Sequence, residues 1–584
     1  MTARGAAPAV TALAALLLLA AAPAGLDLRR PAAGPGGIFV ASVVSGGEPL
    51  EWAGTRLAGG DINGDGIADL VIAAPGGTDD RPSRRGRLYV VFGSVMPPRP
   101  LLDLTLRRGP APAPGAPASL ITDAGLVIEG AGDFDHLGRA LAVADLDGDG
   151  ASDIIAGAPR ADGPRDTRPD CGEVHVIFGA VSLPAVIRLD QAPSSPVTSP
   201  SPGVRTAVIF GRAAGDAFGT ALSVGDVTAD GFADLVAGAP LADAAAGSLG
   251  ALDAGEAILI PSIAAVLRAH PALDLADHGS APAWTVLGGA DAGDQAGGAL
   301  ALGDFDGDSA ADVAIGARGG DGPANQRPDS GEVYLLFGAR PMPPSLALGV
   351  AADAFIAAPD IGDLAGGSLA MGDVNGDGRD DLAVGSEFAD GRANGRLDAG
   401  EVFVIAGMSR DALESRRPPA GETTRGGAQP GPEAPRQPAG PVLIDLAARA
   451  LHGATVIHGD DPGDHTGVRA IVDLDEDGLA EIVLAAEDAA GRRNARAGSG
   501  EVHVLAGRRS LAAELRLDAP EAIVVHGPAG GTHLGGAVTA IDLDGDGRLE
   551  LIVSAPQAGQ SLAGKVFILK AGWKERLHPV GAGK

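Results

Sequence analysis

Residues 145–159 read DLDGDGASDIIAGAP, and the two halves of this stretch decide the fold. The first nine residues place oxygen side chains at positions 1, 3, 5 and 9, with Gly at position 6. Oxygens at that spacing can wrap one hard cation, and the glycine permits the sharp, often left-handed turn that the wrap requires. The second half is short, apolar and closed by Gly-Ala-Pro, which is the composition of a strand rather than a helix.

The pattern occurs seven times: DINGDGIAD from Asp61, DLDGDGASD from Asp145, DVTADGFAD from Asp226, DFDGDSAAD from Asp304, DVNGDGRDD from Asp373, DLDEDGLAE from Asp473 and DLDGDGRLE from Asp542. A short apolar run precedes each copy, such as ALAVA (140–144), and another follows, such as DLVIAAP (69–75). A third run comes next, as in GEVHVIFG (172–179) and GEVYLLFG (331–338). A fourth precedes the next motif, as in GLVIEG (125–130) and TAVIFG (206–211). Four strands per unit and seven units predict an all-β fold, a seven-bladed β-propeller of four-stranded antiparallel blades. The last unit, LELIVSAP (549–556) and KVFILKAG (565–572), lacks a fourth strand, whereas GIFVASVV (37–44) precedes the first motif. That N-terminal strand is expected to complete the C-terminal blade and close the ring, which leaves only short sheet edges.

Composition agrees. The 584 residues include 90 Gly and 44 Pro but only 3 % aromatics, which suits tight turns over long helices. A net charge of −31 argues against a nucleic-acid surface. The single cysteine, Cys171, rules out an internal disulfide framework. The opening MTARGAAPAVTALAALLLLAAAPAG, with Ala22-Pro23-Ala24 as a cleavage pattern, reads as a signal peptide over 1–24. Residues 25–36 are then a linker, 37–572 the propeller and 573–584 a tail. The expected location is secreted, periplasmic or cell-surface, with no transmembrane segment after signal cleavage. Pro- and Gly-rich inserts at 107–119, 191–204 and 415–440 lie between third and fourth strands.

Ca2+, which takes six to eight oxygens at about 2.3–2.6 Å, fits the nine-residue motif better than Mg2+. The first site comprises Asp61, Asn63, Asp65 and Asp69 with the Ile67 carbonyl; the second, Asp145, Asp147, Asp149 and Asp153 with Ala151. The third comprises Asp226, Thr228, Asp230 and Asp234 with Phe232; the fourth, Asp304, Asp306, Asp308 and Asp312 with Ala310. The fifth comprises Asp373, Asn375, Asp377 and Asp381 with Arg379. The sixth takes Asp473, Asp475, Asp477 and Glu481 with Leu479; the seventh, Asp542, Asp544, Asp546 and Glu550 with Arg548. Up to seven ions would bring the formal charge from −31 to −17 and couple metal uptake to stability. Thr228 is the poorest ligand and Ser309 replaces the turn glycine, so the third and fourth sites are expected to bind more weakly than the second.

The order G-D-x-F-G, then D-x-D-x-D-G-x-x-D-L, then G-A-P resembles the FG-GAP repeats of the integrin alpha-subunit propeller. The matching pieces are GDAFG (215–219) with DVTADGFADLVAGAP (226–240), and HLG (136–138) with DLDGDGASDIIAGAP (145–159). The resemblance implies Ca2+ in the hairpin between the first two strands of a blade. It also points to the opposite face, formed by the 2–3 and 4–1 connections, for an extracellular protein or glycan ligand. On that face Arg168, Arg327, Arg396 and Arg496 recur at equivalent places, which suggests a structural pair inside each blade. Trp52, His136, His465 and His533 lie near 4–1 turns. The function expected is an adhesion or protein-interaction module. The alternatives are a Ca2+-dependent carbohydrate-active enzyme of polysaccharide-lyase type and a purely structural surface protein. No G-x-S-x-G, H-E-x-x-H or P-loop pattern occurs.

Overall fold

The computed structural model of the chain describes residues 26–28, 39–47, 50–76, 85–95, 101–104, 107–108, 120–121, 124–189, 204–243, 251–277, 284–338, 342–417, 440–448, 453–491, 494–517, 522–559, 562–573 and 577. The signal-peptide reading of 1–24 and most of the three Pro-rich inserts lie outside them.

Seven sheets form a ring of blades, numbered here by their acid motifs. Blade 2 serves as the example: Ala140–Ala144, Asp153–Ala158, Glu173–Ile177 and Thr206–Phe210 run antiparallel from the inside outwards. The second strand of every blade is buried at all six positions, which its run of β-branched and small residues allows. The innermost strands pack one on the next all the way round, Val538–Ile541 of blade 7 meeting Arg56–Gly60 of blade 1. The apolar core is correspondingly divided into layers between neighbouring blades. One layer sets Val174, Val176 and Ile209 against Leu235, Ala237 and Ile258, and another sets Val44, Val566 and Ile568 against Leu70, Ile72 and Tyr89.

The two family signatures meet at these seams. A Cβ on Gly157, from the Gly-Ala-Pro of blade 2, would lie 2.0 Å from the carbonyl oxygen of Gly219, which sits in the turn entering blade 3 with φ 82°. Backbone touches backbone there, and no side chain fits.

The ring closes as the sequence predicts. Phe39–Ser45 is the fourth strand of blade 7, antiparallel to Lys565–Lys570. The strand count differs from the four expected: beside one two-stranded hairpin (Arg107–Arg108 with Leu120–Ile121), every blade has five strands. The fifth is parallel to the fourth and comes from the neighbouring unit. After its third strand, each unit runs along the outside of the preceding blade before returning to its own. Val186–Arg188 of unit 2 thus pairs with Leu126–Glu129 of blade 1, and Ala272–Asp274 of unit 3 with Thr206–Phe210 of blade 2. Sequence patterning misses these strands because they are only two to four residues long and sit in stretches without periodicity. The stretch read as a linker takes part: Leu26–Asp27 is the fifth strand of blade 6, against Val525–His526. The stretch read as a tail also belongs to the core, where Trp573 and Leu577 are buried between blades 6 and 7.

Candidate metal centres and the opposite face

All seven acid motifs form the hairpin between first and second strands, and they share one internal geometry. The first acid accepts hydrogen bonds from the amides of the fifth and sixth residues. In loop 2 these are Asp149 N to Asp145 Oδ1 (3.2 Å) and Gly150 N to Asp145 Oδ2 (3.0 Å). The fifth acid accepts from the seventh amide, which anchors Ile67, Ala151, Phe232, Ala310, Arg379, Leu479 and Arg548. The sixth residue is left-handed throughout, including Ser309 at φ 73° where the other loops have glycine. A serine pays backbone strain in that region, as expected for loop 4.

The ninth acid plays a different part. It is buried, and its two oxygens tie the hairpin to the end of the third strand: Leu146 N and Gly179 N donate to Asp153 at 3.0 and 2.8 Å. Asp69, Asp234, Asp312 and Asp381 repeat the pattern, and Glu481 does so with its longer arm. Burial pushes these carboxyls up, Asp69 and Asp381 to about 6, Asp153 and Asp312 to about 7, Glu481 to about 8, and Glu550 to about 6. Water has been stripped from an anion without full replacement, a deficit that a nearby cation offsets.

Three carboxylates converge in four loops: Asp145, Asp147 and Asp153; Asp304, Asp306 and Asp308; Asp473, Asp475 and Glu481; Asp542, Asp544 and Glu550. Within each set, ligand oxygens lie within 4.8 Å of one another. These are the loops with Asp at position 3, whereas loops 1, 3 and 5 carry Asn63, Thr228 and Asn375 there. Asp147 Oδ1, Asp544 Oδ1 and Thr228 Oγ1 are buried with no hydrogen-bond partner among the described residues. An all-oxygen donor set with orphaned buried oxygens fits a hard divalent ion. The Asn375 amide instead donates to Asp381 at 3.0 Å, turning its nitrogen towards the carboxylate.

The sequence reading missed three basic side chains at these loops. Arg205 pairs with Asp147 while its guanidinium lies over the Phe178 ring, 3.4 Å from the centroid. Arg410 reaches Asp306 (2.5 Å) and Asp308 (3.0 Å) and lies over Phe337. Lys570 Nζ touches Asp544 and Asp546, both at 2.6 Å. Lys570 is legible in hindsight, because it stands where GEVHVIFG and GEVYLLFG carry Phe178 and Phe337. Arg205 and Arg410 sit in crossovers outside the repeat register.

On the opposite face, Arg168 and Arg327 are structural, as their recurrence suggests. Each makes a two-pronged pair with the end of its blade's fifth strand, Arg168 with Asp274 (3.0 and 2.9 Å) and Arg327 with Asp445 (2.8 and 2.7 Å). Arg396 and Arg496 donate to the Gly459 and Gly527 carbonyls. Trp52, half-buried, occupies the left-handed turn position that other blades fill with His136, Ala217, Gln295, Leu364, His465 and His533. His465 and His533 share Asp488, at 2.7 and 3.0 Å. Cys171 is buried, and burial pushes its thiol up to about 12, which disfavours the thiolate. Phe134, Leu241, Leu252, Ile361, Phe388 and Leu397 are exposed on the 2–3 and 4–1 connections. Among the described residues, no helix is long and apolar enough to cross a membrane.

Comparison with known proteins agrees with the geometry. The FG-GAP repeat family matches residues 53–91, 137–177, 218–256, 296–336, 365–405 and 534–569. These are blades 1 to 5 and 7; blade 6 keeps the fold with Glu476, Glu481 and AAE in place of the usual signatures. Phosphatidylinositol-glycan-specific phospholipase D from Homo sapiens is 33 % identical over 194 residues, 33 % of this chain and 19 % of that protein. The Rattus norvegicus protein of the same name is 29 % identical over 194 residues, with the same coverage. Integrin alpha-IIb from Homo sapiens is 31 % identical over 200 residues, 33 % of this chain and 15 % of that protein. The chain thus spans under a fifth of the length of these relatives. Seven blades, six recognised repeats and the integrin likeness support an integrin-like FG-GAP β-propeller.

Proposed function

We propose that this chain is an exported, Ca2+-stabilised adhesion module whose acid loops hold one face of the ring while the opposite face binds an extracellular protein or glycan. The observation that carries the metal half is the convergence of three carboxylates in four loops, with Asp147 Oδ1 and Asp544 Oδ1 buried and orphaned. The first, third, fifth and ninth residues of each loop would hold the ion with the seventh carbonyl. Bound Ca2+ would supply counter-charge and a cross-link between hairpin and third strand in a chain whose only cysteine is Cys171.

The interaction half rests on the contrast between a scaffold common to all blades and exposed apolar residues that only some blades carry, at Phe134, Ile361, Phe388 and Leu397. The likeness to integrin alpha-IIb supports the same face. Export rests on residues 1–24.

The test is metal analysis of the purified mature protein, with melting curves before and after chelation. Bound Ca2+ and a lower melting temperature without it support the reading; no bound Ca2+ and an unchanged curve overturn its metal half. Capture of a partner from an extracellular fraction by wild type but not by a Phe388→Ser, Leu397→Ser variant supports the interaction half. Release of unsaturated product from a polyuronate would move the reading to the enzyme alternative.

A further inference from the structure

Arg205, Arg410 and Lys570 come from three unrelated places in the repeat. Arg205 precedes a fourth strand, Arg410 opens a short helix (Arg410–Glu414) after the third strand of blade 5, and Lys570 ends the third strand of blade 7. All three nonetheless reach the same spot, the mouth of a 1–2 acid loop beside the end of a third strand. In loops 2 and 4 an aromatic residue, Phe178 or Phe337, carries the arginine; in loop 7 that aromatic is itself replaced by the lysine. The three loops served each carry four acids at ligand positions. Convergence from different sequence positions cannot be an echo of the repeat.

We infer that these side chains are tethered counter-ions that compete with Ca2+ for loops 2, 4 and 7. The inference rests on the calcium reading above and refines it. The cation holds the loop when metal is absent, and Ca2+ must displace it from the ligand oxygens it contacts. In loop 4 these are Asp306 Oδ2 and Asp308 Oδ2; in loop 7 they are Asp544 Oδ2, Asp546 Oδ2 and, at 3.3 Å, Glu550 Oε1. In loop 2 it is Asp147 Oδ2. The seven loops therefore do not fill by carboxylate count alone. Ligand chemistry would favour loop 2 over loops 3 and 4, and Arg205 opposes that advantage.

Two effects of opposite sign separate this device from an ordinary surface ion pair. Removing the tethered charge should tighten metal binding and weaken the metal-free fold, because the same contact opposes one and supports the other. Wild type, Lys570→Met and Arg410→Met are stripped of metal, titrated with Ca2+ by calorimetry on the full chain, and melted without metal. Each variant is expected to shift one site to about tenfold tighter binding and to melt at a lower temperature without metal. Affinities that stay at wild-type values, or weaken, in both variants overturn the inference while leaving the calcium reading intact. A wild type that takes up no Ca2+ overturns both. Should Lys570→Met fail to fold, Arg410→Met and Arg205→Met carry the test, since their native side chains are 39 % and 45 % exposed.

Discussion

The two faces of the ring are built from the same repeat in opposite ways. On the loop face the repeat fixes side chains: the first, fifth and ninth residues are acids in every blade, each held by named amides. On the opposite face the repeat fixes the backbone and a few structural side chains such as Arg168 and Arg327, and leaves the turn residue free. The turn before each first strand takes φ between 50° and 60° at Trp52, His136, Ala217, Gln295, Leu364, His465 and His533, residues with no chemistry in common. A repeat retains what every blade needs and frees what a single blade uses. The proposed function makes the loop face the ring's fastening and the opposite face its recognition surface.

Removing divalent ions should break the comparison most severely. Each occupied site adds about 2.7 kcal/mol when the free ion stands at a hundred times its dissociation constant, so several sites together dominate stability. Calorimetry with and without chelator should show the melting temperature falling well beyond the few degrees of a typical point mutation. A shift of a degree or less would place the fastening elsewhere.

Within one loop, the ninth acid should matter more than the fifth when metal is absent. Asp153→Ala leaves the buried amides of Leu146 and Gly179 without acceptors and should cost about 3 kcal/mol in urea unfolding. Asp149→Ala, on an exposed residue, should cost under about 1 kcal/mol in chelator. Equal losses would erase the distinction between staple and ligand.

On the opposite face, burial pushes the Asp294 carboxyl up to about 7, with Glu332 adding to it. Between about pH 4 and 7 the folded state keeps a proton that the unfolded state has lost, so stability falls as pH rises through that window and levels off above it. Asp294→Asn should flatten this slope in saturating Ca2+ and raise stability at pH 8 by about 2 kcal/mol. An unchanged slope would remove Asp294 from the account. The smallest effect on folding is expected at Phe388: Phe388→Ser should alter stability by less than about 0.5 kcal/mol while reducing partner capture. A large stability loss would make Phe388 part of the scaffold.

The blades, the ring closure and the ligand positions were legible because they rest on local signals: acids at fixed spacing, β-branched runs, and glycines where backbones touch. Where Ala73, Ala485 and Ser554 replace Gly157, the facing glycine keeps the room: a Cβ on Gly138, Gly535 or Gly54 would fall within 3 Å of theirs. What stayed hidden was non-local. Val186–Arg188 and Ser345–Ala347 are too short to show a period, and their partners lie on the previous blade. Leu26–Asp27 looks like linker because only Val525–His526, about five hundred residues later, makes it a strand. Arg205 and Arg410 carry no register at all.

That last pairing sets the order of events during manufacture. Leu26–Asp27 and Phe39–Ser45 leave the ribosome about five hundred residues before their partners, Val525–His526 and Lys565–Lys570. These strands must wait unpaired while the intervening blades are made, so the circle cannot lock until the last blade has emerged.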